Sequence, residues 1–358
     1  MRIANPVITA WSAISPFGFG ADAFRTGLRA GVPAPTSAAE PAPDARGRLV
    51  PDFDARTVLG KKGTRSMDRV TALSVAAVGE LAGPQGPSAT PGAGPATGLV
   101  LGTSGSVRST MDFTRSSIDG DRPFYVDPAQ FPNTVMNCAA GQCAIWHGLK
   151  GPNATIAGGN AAGLLALNYA RRLQAGGRAG TLLCGGAEEY SAARAWLRHH
   201  GGDGPDSAVL GEGAAVLRLE PAGSEAAERD GLAEVVAMEF GVHQDTGEIR
   251  SVLLSCLRRA LDTAGARPGD IGLVAPGDPA GEAEQAALAD LLGTGSPARI
   301  DCAGLIGDAA AAAAAFQVLA VLVTAEHDPA LANRLALVTA VDSSGALGCA
   351  LLRLRPAR

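Results

Sequence analysis

Residues 151–189 read GPNATIAGGNAAGLLALNYARRLQAGGRAGTLLCGGAEE. A short apolar segment, 155–157, runs into Gly158 and Gly159. From Asn160, small and apolar residues recur at helical spacing as far as Gly176 and Gly177. A second apolar run and another glycine pair precede Glu188 and Glu189. The pattern is a strand, a tight elbow, a helix and a strand. Such an elbow places its first helical side chain where backbone N–H groups and the helix dipole lower a thiol pKa or stabilise an oxyanion. The side chain here is an amide. Asn160 has no ionisable proton at physiological pH and is a poor nucleophile, so the spacing predicts the geometry of a covalent-catalysis site without its reactive atom.

Around this block lie 358 residues, 46% hydrophobic and 18% charged, enough for two domains or one large pseudo-symmetric one and too apolar for disorder. A net charge of −5 and a pI near 5.6 leave no basic excess, which excludes nucleic acid as the expected partner. The opening MRIANPVITAW is too brief and too polar for a signal peptide, and the expected location is the cytosol. The longest apolar run, 309–325, is about seventeen residues with Gln317 inside it. A spanning helix needs about twenty stronger hydrophobes, so this run reads as a buried helix and no membrane is expected.

Cys138, Cys143, Cys184, Cys256, Cys302 and Cys349 sit in apolar or Gly-rich settings and read as small core hydrophobes. Cys138 and Cys143 are too far apart for a CxxC pair. His199 and His200 beside Asp203 read as a solvated helix end, so no metal is expected. The glycines at 102–105 and 211–213 are followed by no Lys-Ser/Thr and read as turns at strand ends, so no phosphate-cradling loop or cofactor is expected.

In chain order, a strand begins at 8–9 and turns at Ser15-Pro16 into a helix over 21–29. Residues 31–47 form a surface connection. Residues 68–81 are helical, 84–95 a turn-rich link, 96–102 a strand and 109–120 a helix. After a Pro-bounded loop, 122–132, another helix lies around 136–147. Residues 190–204 are a polar helix and loop, and 208–220 a strand ending near Gly223. The second half repeats the grammar with a helix at 249–264, a strand at 271–275, helices at 282–292 and 308–325, and a buried strand at 335–341. Asn160 and Asp308 each follow a glycine and open a small-residue helix, so both are expected as N-caps worth about 1 kcal/mol. Two such halves, 1–223 and 224–358, suggest an internal duplication of α/β units.

The order GPN, strand, Gly turn, nucleophile position, small-residue helix and GG-acid resembles the β-ketoacyl synthases of the thiolase superfamily. ITAWSAISPFGFGADAFRTGLRAG (8–31), RSMDRV (65–70), VLGTSGS (100–106), FPNTVMNCAAGQCAIWHGLKGPN (131–153) and LGEGAAVLRLE (210–220) agree in order and spacing. The resemblance implies the thiolase-like fold, five layers αβαβα in two pseudo-symmetric halves. In that family a Cys carries the acyl chain, two His bind and decarboxylate the malonyl thioester, and a Lys supports the site. Here Asn160 stands at the Cys position, Pro276 and Asp308 at the His positions and Ala303 at the Lys position. His147, His199, His200, His243 and His327 all lie outside these motifs. The final loop, VDSSGALGCALL (341–352), departs from the family's Phe-Gly-Phe-Gly-Gly-Thr-Asn, with Ser344 at the gating-Phe position.

The PNTVMN…AAGQ…GLKGPN wording with the missing cysteine is most similar to the chain-length factors of type II polyketide synthases. That resemblance implies a non-catalytic subunit pairing with a catalytic ketosynthase and an acyl carrier protein that bears the phosphopantetheine-bound polyketide. The implied tunnel wall and interface comprise Thr110, Phe113 and Ser117, on one helix face, with Phe131, Asn133, Met136 and Asn160. The alternatives are a divergent acyltransferase or malonyl decarboxylase using Asn160 or Cys184, and a structural homodimer.

Overall fold

The computed structural model describes residues 5–38, 42, 46–82, 97–119, 122, 125–201, 208–277 and 281–356. The link expected at 84–95 and Asp203 lie outside them. The main sheet contains β1 (Val7–Ser15), β2 (Thr97–Gly102), β3 (Asn153–Ile156), β4 (Thr181–Glu188), β5 (Gly213–Glu220), β6 (Ala233–Val242), β7 (Ile271–Ala275), β8 (Ala298–Arg299), β9 (Leu335–Val341) and β10 (Ala346–Leu354). Their order is β8-β7-β9-β10-β6-β1-β5-β4-β2-β3, with Gly18–Phe19 paired to the end of β1. The order is a palindrome. In one half β2 lies parallel to β3 and β4, and β5 antiparallel to β4 and β1. In the other β7 lies parallel to β8 and β9, and β10 antiparallel to β9 and β6. The halves join where β1 meets β6, Val7 opposite Glu234 and Ile8 opposite Ala233.

The main helices are α1 (Gly20–Ala30), α2 (Arg69–Ala82), α3 (Val107–Ile118), α4 (Cys138–His147), α5 (Ala162–Ala175), α6 (Ala192–His200), α7 (Ile249–Ala264), α8 (Glu282–Leu292) and α9 (Ala313–His327). Parallel neighbours need crossover connections, and the helices that supply them form the layers. α5 and α9 lie between the two half-sheets in a core shared with β1, β5, β6 and β9. α2 and α4 cover the outer face of the first half, and α7 and α8 that of the second, each over its own apolar cluster. This is the five-layered αβαβα arrangement that the resemblance implies. From Ala314 to Val323 α9 is buried on all sides and apolar but for Gln317, whose amide donates to Ala275 O and Thr339 O. Gly163 lets α5 approach it closely: a Cβ there would lie 2.7 Å from the Ala315 nitrogen. Phe316 of α9 stacks on Phe24 of α1, ring centroids 5.7 Å apart and both side chains fully buried.

Four sequence expectations are corrected. The block 341–352 is not a loop: a turn at 342–345 leads into β10, whose small residues Ala346, Gly348, Cys349 and Ala350 mask its strand pattern. β6 occupies 233–242, for which the sequence pattern indicated no strand; it is covered on both edges by β1 and β10. The connection at 31–47 contains Ser37–Ala38 and the start of Arg46–Arg48, which with Leu210–Gly211 form a small three-stranded sheet. The helix expected from 308 opens with a 3-10 turn, Ala310–Ala312, and becomes α-helical at Ala313. By length and composition Ala310–His327 could cross a membrane, but 67% of it is buried inside the fold, where it forms the central layer.

Candidate functional site

β3 delivers the chain to the elbow. Asn160 is the second residue of a 3-10 turn, Gly159–Ala161, that precedes α5. Gly159 has φ +48°, the left-handed region, and a Cβ there would lie 1.7 Å from Asp342 Oδ2. The Asn160 N–H donates to that same oxygen at 2.7 Å. The expectation that Asn160 caps the helix fails. The 3-10 turn stands between it and α5, whose first turn takes no side-chain cap, and the Asn160 amide group bonds to none of the described residues. The same expectation fails for Asp308: the cap residue of its turn is Ala309, without a side-chain cap, and the Asp308 Oδ1 accepts the Ala310 N–H at 2.8 Å from one residue earlier.

Asp342 follows β9 and is almost completely buried. Its Oδ1 accepts the Ser344 N–H at 2.9 Å and the Ser344 hydroxyl. Its own N–H donates to Ala346 O at 2.8 Å, and its carbonyl oxygen faces His243 Nε2 at 2.9 Å. The other His243 nitrogen, Nδ1, faces Asp245 O at 3.1 Å. A histidine remote from the family motifs in sequence is therefore brought beside this turn. Both its nitrogens are engaged by carbonyls.

At the remaining positions, Pro276 is buried directly after β7, and Ala303 lies on the short helix Cys302–Ile306. Asp308 bridges the small sheet through its backbone, and its carboxylate is 3.9 Å from both Arg194 and Arg198. Arg194 also donates to the Asp308 carbonyl at 2.9 Å. Cys184 is overturned as an alternative nucleophile: it is fully buried in β4, and burial pushes its thiol up to about 12. His147 is held on α4 with Nε2 2.8 Å from Val75 O, its pKa lowered by burial. His199 and His200 cluster against Trp196 at the end of α6. Among the described residues no group of His, Cys, Asp and Glu has the arrangement of a metal site.

The wall candidates assemble elsewhere. α3 has no buried residue. Thr110, Thr114, Ser116 and Ser117 all turn their hydroxyls back onto carbonyls of their own helix, while the exposed Arg108 and Arg115 face Asp112 and Asp119 one turn on. Phe113 meets Phe131 at 5.9 Å, and Met136 packs near Gly105. Asn133 donates to Ser66 O at 2.7 Å and accepts from the Cys138 thiol. Met111, Ile118, Phe131, Val135 and Met136 are all exposed, and β3 is an edge strand.

Beside α3 lies a polar cavity of about 720 Å³ lined by Asp68, Arg69, Ser106, Arg108, Asn133 and Glu189, among others. Glu189 is buried there. It accepts the Ser106 hydroxyl at 2.8 Å and the Val70 N–H at 3.2 Å, and burial pushes its carboxyl up to about 7. Neither Glu189 nor Asp342 was singled out from the sequence. The available signal was an acid immediately beyond an apolar strand.

Residues 5–224 match the family described as Beta-ketoacyl synthase, N-terminal domain. The chain is 29% identical over 195 residues to 3-oxoacyl-(acyl-carrier-protein) synthase 2 of Vibrio harveyi, covering 48% of this chain and 46% of that one. It spans about half the length of the curated relatives it first matches. Among solved structures, the ishigamide ketosynthase/chain length factor superposes with a TM-score of 0.88 at 42% identity, over 98% of this chain and 99% of that one. A type II PKS acyl-carrier protein in complex with its ketosynthase superposes with a TM-score of 0.80 at 18% identity, over 99% and 100% of the two chains, a likeness of fold.

Proposed function

This chain belongs to the β-ketoacyl synthase family, and within it we propose that it is a non-catalytic chain-length factor. In this reading it pairs in the cytosol with a catalytic ketosynthase and walls the acyl tunnel of that partner. It thereby sets product length on an acyl carrier protein in polyketide biosynthesis. The observation that carries the reading is the filling of the reactive positions: an amide at 160, Pro276, Ala303, and an Asp308 held by two arginines. No nucleophile, imidazole or ammonium stands at any of them. The similarity to the ishigamide ketosynthase/chain length factor over nearly the whole chain supports it.

The surface of α3 supports the pairing. Exposed Met111 and Ile118 on α3, with exposed Phe131, Val135 and Met136 beside it, leave apolar area to be covered, and β3 is an edge strand. Thr110, Phe113 and Ser117 then face the tunnel, with Phe131, Asn133 and Met136 at the interface. The halves 1–223 and 224–358 act as one body. The test is co-expression of Ser117→Trp with the cognate ketosynthase. Shorter products are expected, and unchanged product length refutes a wall role. Elongation or decarboxylation of malonyl thioesters by the isolated chain refutes the non-catalytic role.

A further inference from the structure

The palindromic sheet makes β4 and β9 equivalent, and likewise the 3-10 turns Gly159–Ala161 and Ala310–Ala312 that open α5 and α9. The first residue of each turn has positive φ, +48° at Gly159 and +38° at Ala310. The second residue of each turn gives its N–H to a carboxylate at the end of the equivalent strand in the opposite half. Ala311 donates to Glu188 Oε2 at 3.4 Å, and Asn160 donates to Asp342 Oδ2 at 2.7 Å. The equivalence extends to register: Glu188 stands opposite Gly213, the first residue of β5, and Asp342 bonds Ala346, the first residue of β10.

We infer that Asp342 closes the elbow: its carboxylate holds the Asn160 N–H that an acyl oxygen would need, making the elbow a joint between the two halves. The inference rests on the non-catalytic reading above and deepens it. An N–H bonded to a carboxylate at 2.7 Å is a charge-assisted donor, and a neutral thioester oxygen must displace an anion to reach it. That anion is fixed: Ser344 holds its second oxygen, and Ala346 and His243 hold its backbone. The elbow of the first half is thereby treated as the Ala311 elbow of the second half is, and the missing thiol is one of two lesions. Restoring sulfur alone would place a thiol beside a carboxylate, which disfavours the thiolate.

The test uses the full chain, purified with its synthase where the two co-purify, carrying Asn160→Cys alone or with Asp342→Ala or Asp342→Asn. The readout is the iodoacetamide alkylation rate at position 160, followed by peptide mapping between pH 6 and pH 9, values on the order of those that bracket a thiol titration. Asn160→Cys alone is expected to react no faster than an ordinary thiol. Adding Asp342→Ala should accelerate it at least about tenfold near neutral pH, a drop of roughly one unit in thiol pKa. A single variant as reactive as the double variant overturns the closure. Should Asp342→Ala fail to fold, Asp342→Asn, which keeps the shape and removes the charge, is expected to act in the same direction, and no acceleration there also overturns it. Hydrogen exchange across 158–164 without the cysteine should quicken in Asp342→Asn, and equal exchange counts against the closure. None of these readouts involves product length. Failure of the Ser117→Trp experiment leaves the closure standing, and a reactive single variant leaves the subunit role standing.

Discussion

Replacing Phe131 with alanine is expected to weaken the proposed complex with a catalytic ketosynthase while leaving this chain folded. Phe131 is 55% exposed and rests on the half-buried Phe113 of α3, a helix with no fully buried residue. A phenylalanine offers about 200 Å² of surface, of which roughly 110 Å² is then left for a partner to cover. At about 25 cal/mol per Å² this is worth about 2–3 kcal/mol, or roughly 30- to 140-fold in Kd. Sedimentation equilibrium or titration calorimetry of the two subunits measures it. Val32, 64% exposed but on the loop after α1, serves as the comparison, and Val32→Ala should leave Kd unchanged. A Phe131→Ala complex within about twofold of the parent Kd, far below the usual hot-spot effect, would refute the placement of the interface on this face.

Three further outcomes follow from the geometry. Glu212 is fully buried and accepts Arg69 through both oxygens, the Val50 N–H at 2.8 Å and the Tyr190 N–H at 3.1 Å. Glu212→Ala should cost about 3–5 kcal/mol. With an unfolding entropy of about 2.1 cal/mol/K per residue over 358 residues, that lowers Tm by roughly 4–7 °C. A fall of under about 2 °C by calorimetry would contradict the pairing. Gly159→Ala should destabilise by at least about 2 kcal/mol in urea, because it combines a left-handed φ with a Cβ driven into Asp342; an unchanged midpoint would be inconsistent with the elbow geometry. Glu189 carries a carboxyl raised in the fold from 4.5 to about 7. The native state therefore binds more protons than the unfolded one between these values, and stability falls as pH rises through them, by about 3 kcal/mol from this group. Glu189→Gln should remove that loss, so urea unfolding at acidic and mildly alkaline pH should show a flatter profile than the parent; an identical slope would argue against it.

Much of the architecture was legible where local pattern and burial coincide. α7 shows a clean amphipathic period, β9 is a bounded apolar run, and 282–292 is helical between glycines. β6 and β10 were not legible, since Glu234 and Glu239 interrupt the one and small residues flatten the other. Both are strands because neighbours on either side take their backbone bonds. The ion pair of Arg69 and Glu212 joins two of the quoted blocks, RSMDRV and LGEGAAVLRLE, but which acid meets which base depends on the fold.

What the sequence by itself determined is that an amide and not a thiol stands at the elbow, because that is a property of one side chain, residue 160. What only the tertiary structure decided is what became of the N–H beside it. Its acceptor, Asp342, comes from the opposite half, 182 residues away, through a pairing set by the palindromic order of the strands. Spacing along the chain encodes the contacts within a helix or a strand. It does not encode which strand end a sheet brings to a given turn.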